Sequence, residues 1–286
     1  NNTLIGGLAG DAITTGGSNV ALGTSALSAN TSASNNTAVG YQAGYTTTTG
    51  SYSTSVGYQA HYSNTTGRNS ALGYVALRSN TTGTNNTAVG DSALYSTTTG
   101  NYNTALGQEA LQANTTASNN TAVGYQAGYT NVAAGAQVFV GYKAGYATTN
   151  GGGSSTFVGY EAGLSNTTGG NNTALGRGSF LDNTTGSNNV GLGYEALANN
   201  TTASSNTAVG YQALYLNTTG AENVAFGAYA LDSVTTGSGN AAIGYGSGNT
   251  ITTGSKNTIL GAYDGNQGGL DIRTASNNIV LYERLY

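Results

Sequence analysis

The chain contains no cysteine, proline, methionine or tryptophan. Without cysteine, it can form no disulfide, thiolate metal site or cysteine nucleophile. The absence of proline suits stacked β-ladders, because proline removes a backbone donor. No run approaches the roughly 18 apolar residues of a membrane helix, and no signal peptide is visible. We therefore expect β-structure without cysteine chemistry or membrane insertion.

Charge is also scarce. Charged residues make up 6% of the 286 residues, and the net charge is −4 at pH 7. With so few basic residues and a negative net charge, we expect no basic surface patch and therefore no nucleic-acid partner. The 11 carboxylates are scattered singly, and the lone His61 has no Ser/Asp constellation around it. The sequence therefore predicts a protein that is not an enzyme, with no catalytic residue, cofactor or metal site.

What the sequence does have is a glycine that recurs sixteen times, with thirteen of the fifteen gaps equal to 17 residues. Repetition at a fixed short period is typical of a solenoid, in which each repeat contacts its neighbours. Positions below are counted from this glycine. The column is Gly6, Gly23, Gly40, Gly57, Gly73, Gly90, Gly107, Gly124, Gly141, Gly159, Gly176, Gly193, Gly210, Gly227, Gly244 and Gly261.

The consensus around the glycine, N-T-A-V-G-Y-Q-A-L, predicts two short strands of 4–5 residues with a corner between them. At the corner, glycine permits a positive φ, and we single out Gly40, Gly90, Gly124, Gly176 and Gly210 as structural turn glycines. A polar N-T-T-G stretch supplies a second turn. The bulky apolar residue at −1, such as Val123, is expected in the core. The small residue at −2, such as Ala122, is then expected on the opposite face, where close association of chains would bury it.

Asparagine occupies position −4 in every repeat after the first except at Ser53, Gln137 and Ser155. Stacked identical amides can donate along the column and accept from the neighbour. We predict such a structural ladder, represented by Asn36, Asn86, Asn120, Asn172 and Asn206. A plainer interpretation is that asparagine tolerates turn geometry.

Tyrosine recurs at +1, and a second tyrosine column runs at +5. The +1 column gives candidate surface-binding residues at Tyr41, Tyr58, Tyr125, Tyr142 and Tyr211, which could contact a sugar or another surface. The alternative is a stacking ladder that shields the turn. His61 stands where other repeats carry leucine or glycine, which favours a tolerated substitution over a metal ligand.

The repeat, clearest at Asn206–Leu214 and Asn120–Gly128, resembles two related groups. One is the head domain of trimeric autotransporter adhesins. The other, whose repeat sequence is more similar, is the shaft of phage tail fibres. The ending from Gly244 to Leu281 looks like the segment that precedes a C-terminal intramolecular chaperone in such fibres. The resemblance implies an all-β, left-handed parallel β-solenoid, or β-roll, of about 16 coils wound as a homotrimer.

We therefore expect residues 1–261 to form a repeat shaft and residues 262–286 a C-terminal cap or junction. In that segment, the turn from Asp264 resembles a cation-binding loop faintly and a capping loop better, and Arg273, Glu283 and Arg284 add charge.

The function expected is that of a structural or adhesive fibre segment, extracellular on a phage tail or a bacterial surface. Its expected partners are its own copies, with possible end-to-end assembly, and a cell-surface glycan or receptor. The alternative is a carbohydrate- or ice-binding module that uses a repetitive Thr/Tyr face. A fibre-borne depolymerase is a third possibility, although no carboxylate pair points to one.

Overall fold

The structure, a computed structural model, describes residues 1–149 and 153–282. Gly151, Gly152, Glu283 and Arg284 lie outside the described residues. Each repeat places one three-residue strand at positions −3 to −1, directly before the glycine corner. The strands are β1 Thr3–Ile5, β2 Val20–Leu22, β3 Thr37–Val39, β4 Thr54–Val56, β5 Ser70–Leu72, β6 Thr87–Val89, β7 Thr104–Leu106, β8 Thr121–Val123, β9 Val138–Val140, β10 Thr156–Val158, β11 Thr173–Leu175, β12 Val190–Leu192, β13 Thr207–Val209, β14 Val224–Phe226, β15 Ala241–Ile243, β16 Thr258–Gly261, β17 Asn266–Gln267, β18 Leu270–Asp271 and β19 Ile279–Tyr282.

The chain divides into two compact units, Asn1–Val140 and Gly141–Tyr286. In the first unit, β1 to β9 pair consecutively and in parallel, each one repeat from the next. In the second unit, β10 to β16 pair in the same way, and β19 then pairs with β16. The described residues contain no helix. The predicted parallel β-solenoid of about 16 coils is confirmed.

The segment after the glycine is not the second strand that the sequence suggested. It is a turn in which non-glycine residues adopt left-handed conformations, with φ of 51° at Gln212 and 52° at Leu214. Glu222, in the bend before the next strand, is also left-handed, with φ of 60°. Each donates its amide to a neighbouring coil. Gln212 and Glu222 bond to the preceding coil, and Leu214 bonds to the carbonyl of Ala230 in the next. Alternating backbone conformation therefore directs the amides to both neighbours without a strand.

The expected inside and outside of the strand are reversed. Ala122, Ala208 and the other alanines at −2 are buried, whereas Val123 and Val209 at −1 lie on the partly exposed outer face. Successive strand residues point to opposite faces, so only one of the −2 and −1 columns can face the coil interior. The interior is narrow, and leucine at +4 already enters it from the opposite wall: Leu214 and Leu231 are fully buried. The wall that carries position −2 therefore accommodates the small side chain of alanine.

Coils with a large residue at −2 show the same limit of space. Phe139 and Phe157 are fully buried at this position. A Cβ placed on Gly128 would lie 2.5 Å from the Phe139 ring, and one on Gly163 would lie 2.5 Å from the Phe157 ring. Glycine at +4 therefore makes room for phenylalanine at −2. The altered local packing expected around these two residues is a large-for-small exchange across the interior.

The C-terminal segment inserts a hairpin between β16 and β19. Strands β17 and β18 pair antiparallel, and the buried Tyr263 donates its hydroxyl to the carbonyl of Leu270 at 2.6 Å. The Asp264 carboxylate accepts bonds from the Asn266 amide at 2.7 Å and the Gln267 side chain at 3.1 Å. The loop from Asp264 therefore closes on its own residues, and β19 resumes the parallel register with Gly261 opposite Tyr282.

Candidate functional site

The column glycines bring neighbouring coils into contact at the corner. Gly40, Gly90, Gly124, Gly176 and Gly210 have φ between 132° and 139°, a conformation that side chains rarely adopt. A Cβ on Gly40 would also lie 2.4 Å from the carbonyl oxygen of Gly57 in the next coil. Glycine is required there both by the backbone angle and by the close approach of two backbones.

The asparagines at −4 link the coils through the backbone. Asn36, Asn86, Asn120, Asn172 and Asn206 are all buried. The Asn206 side-chain oxygen accepts the amide of Asn223 in the next coil at 2.9 Å. Its side-chain nitrogen donates across its own coil to the Gly220 carbonyl at 2.9 Å. Amide-to-amide bonds also occur, as from Asn120 to Asn103 at 3.1 Å. The column satisfies buried backbone groups as well as stacking on itself.

A second inward amide column, at +7, was not anticipated from the sequence. Asn183 donates to Asn166 at 2.6 Å, Asn200 to Asn183 at 2.8 Å, and Asn217 to Asn200 at 3.0 Å. Each also donates to the carbonyl three residues later. This run ends where Val234 takes the position. The recurrent asparagine at the start of N-T-T-G is the sequence signal for this column, and turn preference alone does not explain it.

The +1 tyrosines stack on the outer surface beyond the glycine corner. Tyr41, Tyr58, Tyr125, Tyr142 and Tyr211 expose 37–45% of their area. Ring centroids are 5.3 Å apart for Tyr41 and Tyr58, and the same for Tyr58 and Tyr74, with 17° between planes. The second unit repeats this arrangement, with Tyr142 stacked on Tyr160 at 4.9 Å and Tyr194 on Tyr211 at 5.1 Å. Tyrosine edges and hydroxyls therefore form exposed ridges, and the rings largely cover one another's faces.

Cationic side chains fill gaps in these ridges. The Arg177 guanidinium lies 5.5 Å from the Tyr160 ring and 5.7 Å from the Tyr194 ring, within cation–π range. Arg78 lies 5.3 Å from Tyr62 and 5.9 Å from Tyr95 in the +5 column. A hydrogen bond with Glu195 is the main cause that raises the pKa of the Tyr194 hydroxyl. The ridges thus present aromatic, cationic and hydroxyl groups together.

The outer face of the strands is a second repetitive surface. Threonine predominates at −3, and Thr54, Thr87 and Thr104 are exposed. The −1 column beside it is apolar, with exposed fractions of 44% at Leu22 and 46% at Leu106 in the first unit. In the second unit the corresponding fractions are 51% at Leu175, 56% at Phe226 and 51% at Leu260. We call these two columns the sheet face.

His61 lies inside the first unit with its side chain fully buried. Its Nε2 is 3.1 Å from the Asn69 amide nitrogen and its Nδ1 is 3.4 Å from the Ser55 hydroxyl. Burial lowers the pKa of His61 from 6.5 to about 3. Because the Asn69 amide is a donor, Nε2 accepts and the neutral ring carries its proton on Nδ1.

Residues 1–149 and 153–282 hold no group of three histidine or acidic side chains placed to bind a metal ion. Across the same ranges, no helix is long and apolar enough to cross a membrane. No protein-family model matches the chain, and no curated protein matches it either.

Proposed function

We propose that the protein is a non-enzymatic structural and adhesive fibre segment that assembles as a parallel homotrimer, wound left-handed and displayed outside the cell or virion. The observation that carries this proposal is the sheet face. The resemblance to tail-fibre shafts and trimeric adhesin heads supports the handedness and the location. End-to-end assembly of trimers would extend the fibre.

A parallel sheet normally has both faces covered, and here the coil interior covers one. The other face presents Leu72, Leu175 and Ile243 with 48–51% of their area exposed. Soluble monomers rarely leave a repeated apolar column of this kind uncovered. A partner is therefore expected against it.

The partner that fits is another copy of the chain. The −3 and −1 columns contain no charged residue in any coil, so pairing the same face from several chains buries no charge. All copies also share the 17-residue period, so aliphatic residues of parallel chains meet at the same level in every coil. This replaces the small −2 column as the expected interface, because those alanines lie inside their own coil.

Light scattering of the purified protein tests the assembly. We expect three times the 28.4 kDa chain mass. The double variant Leu175→Asp/Phe226→Asp should dissociate the trimer, whereas Thr219→Asp, at an exposed turn outside the sheet face, should not. A folded wild-type monomer would contradict the proposal.

A second candidate, binding of ice or carbohydrate by a repetitive threonine array, gains support from the exposed threonines of the sheet face. Thr87 and Thr104 are register partners on adjacent strands, so the hydroxyls recur once per coil wherever threonine holds position −3. This use requires the same face to be free. Inhibition of ice recrystallisation by a monomeric protein would favour it, and a trimer that buries the face would exclude it.

A further inference from the structure

We propose that the first unit carries a binding site for a carboxylate-bearing saccharide, centred on Tyr74, Val75 and Arg78. The inference rests on the adhesive part of the proposed function and gives it a ligand class. It does not depend on the trimer. The site lies past the glycine corner, on the surface of the tyrosine ridges and outside the sheet face.

The site begins where the tyrosine stack ends. Tyr41, Tyr58 and Tyr74 stack in sequence, and the next +1 residue is Asp91. Tyr74 is exposed by 56%, compared with 45% at Tyr41 and 44% at Tyr58. Tyr74 is therefore the most exposed ring of this stack, and no described tyrosine covers its face on the side of Asp91.

The floor of the proposed site is formed by a gap in the column at position +2. Position +2 carries Gln42 and Gln59, whose side-chain amides bond to each other at 2.7 Å, and then Val75, which is only 7% exposed. Val75 cannot extend the amide pair, and it leaves a depression between the +1 and +5 columns. Lining residues of this depression include Tyr74, Val75, Arg78, Ser92 and Gln112.

Arg78 forms the opposite wall and is held in place. Its Nε donates to the Gln59 side-chain oxygen at 3.0 Å, and its guanidinium lies between the rings of Tyr62 and Tyr95. The one salt bridge found among residues 1–149 and 153–282 joins Asp271 and Arg273, so no carboxylate of the described chain neutralises Arg78. Its Nη1 donates to the Tyr95 hydroxyl at 3.4 Å, and the remaining N–H groups of this fixed guanidinium suit a planar carboxylate.

These groups match the parts of a hexuronic acid unit. The exposed ring of Tyr74 suits the apolar face of a sugar, since tyrosine combines apolar surface with a polar tip. The Gln112 amide can donate to and accept from sugar hydroxyls. The Ser92 hydroxyl already donates to the Asp91 carboxylate at 2.7 Å, so Ser92 and Asp91 can accept from sugar hydroxyls. Arg78 supplies the charge that selects an acidic sugar over a neutral one.

The test is calorimetric titration of the wild-type protein with tetragalacturonic acid at low salt, beside its fully methyl-esterified form. We expect binding of the acid and at least tenfold weaker binding of the ester. Arg78→Gln should weaken binding of the acid at least tenfold. Val75→Gln should do the same by filling the depression, and it should fold normally because glutamine occupies this position at φ 51° in Gln42 and 48° in Gln59.

Arg177→Gln is the matched control, because Arg177 also lies between two tyrosine rings, and it should leave affinity unchanged. Equal binding of acid and ester, no binding of the acid, or loss of binding in Arg177→Gln alone would overturn the assignment. Light scattering on the same samples separates the two proposals. A trimer that does not bind the acid refutes this site, whereas a monomer that binds it refutes the fibre assembly.

Discussion

Replacement of Asn206 tests whether the −4 column stabilises the fold through hydrogen bonds or through turn preference. In Asn206→Ala, the Asn223 amide loses its buried acceptor, now 2.9 Å away. The Gly220 carbonyl loses one of two donors and keeps the Asn217 side chain at 2.9 Å. An unsatisfied buried group costs about 1–3 kcal/mol and a lost hydrogen bond about 0.5–1.5 kcal/mol, so the free energy of unfolding should fall by about 1.5–4.5 kcal/mol.

Serine provides a control that the chain itself contains. At Ser53, the hydroxyl donates to the Gly67 carbonyl at 2.9 Å and accepts the Asn69 amide at 3.3 Å, which reproduces both bonds of the asparagine. Asn206→Ser should therefore lose only about 1 kcal/mol, from the volume removed.

The measurement is denaturant unfolding followed by circular dichroism at one fixed protein concentration, because assembly makes stability concentration-dependent. A shift of the midpoint with an unchanged slope would show a change in stability alone. If alanine and serine lowered the midpoint equally, the hydrogen-bond argument would be refuted and turn preference would explain the column.

Three further predictions follow from packing and burial. Gly210→Ala places a Cβ 2.5 Å from the Gly227 backbone, whereas Gly246→Ala at φ 61° meets nothing closer than 3.6 Å. Gly246→Ala should lower the free energy of unfolding by about 1–2 kcal/mol, and Gly210→Ala should lower it clearly more. Equal melting temperatures of the two variants would contradict the close approach of the backbones. His61 is neutral in the fold and protonates in the unfolded chain below pH 6.5, so its contribution to stability is complete above that pH and falls by about 1.4 kcal/mol per pH unit towards its folded pKa of about 3. His61→Leu should reduce this acid sensitivity in pH-dependent melting, and an unchanged profile would count against it. Phe157→Ala should cost about 3–5 kcal/mol, and adding Gly163→Leu, which restores the pair found in other coils, should recover most of it; no recovery on thermal unfolding would contradict the volume exchange.

Much of the coil could be predicted from the sequence because its backbone requirements leave visible columns. A glycine at fixed spacing reports a backbone angle and a contact that only glycine satisfies, as at Gly40. An asparagine column reports buried groups that need a donor and an acceptor, as at Asn206. Both requirements recur from coil to coil, so each can be recognised in the sequence as a column of the same residue.

The direction in which the strand faces could not be predicted in the same way. Val123 and Ala122 are both apolar, and size alone favoured placing valine inside. The outcome depends on Leu214 and its equivalents, which enter the interior from the far side of the glycine corner, six residues after the −2 position. Left-handed residues such as Gln212 were also missed, because glutamine carries no preference for that conformation and adopts it only through contacts with adjacent coils.

Those left-handed residues have a consequence for how the coils can form at all. Gln212, Leu214 and Glu222 belong to one repeat and have φ of 51–60°, and such conformations cost about 1–2 kcal/mol for each residue. Their amides bond to neighbouring coils, so an isolated repeat bears the cost without the compensating bonds. Folding must therefore start from a nucleus of several coils, after which each added coil finds a ready template.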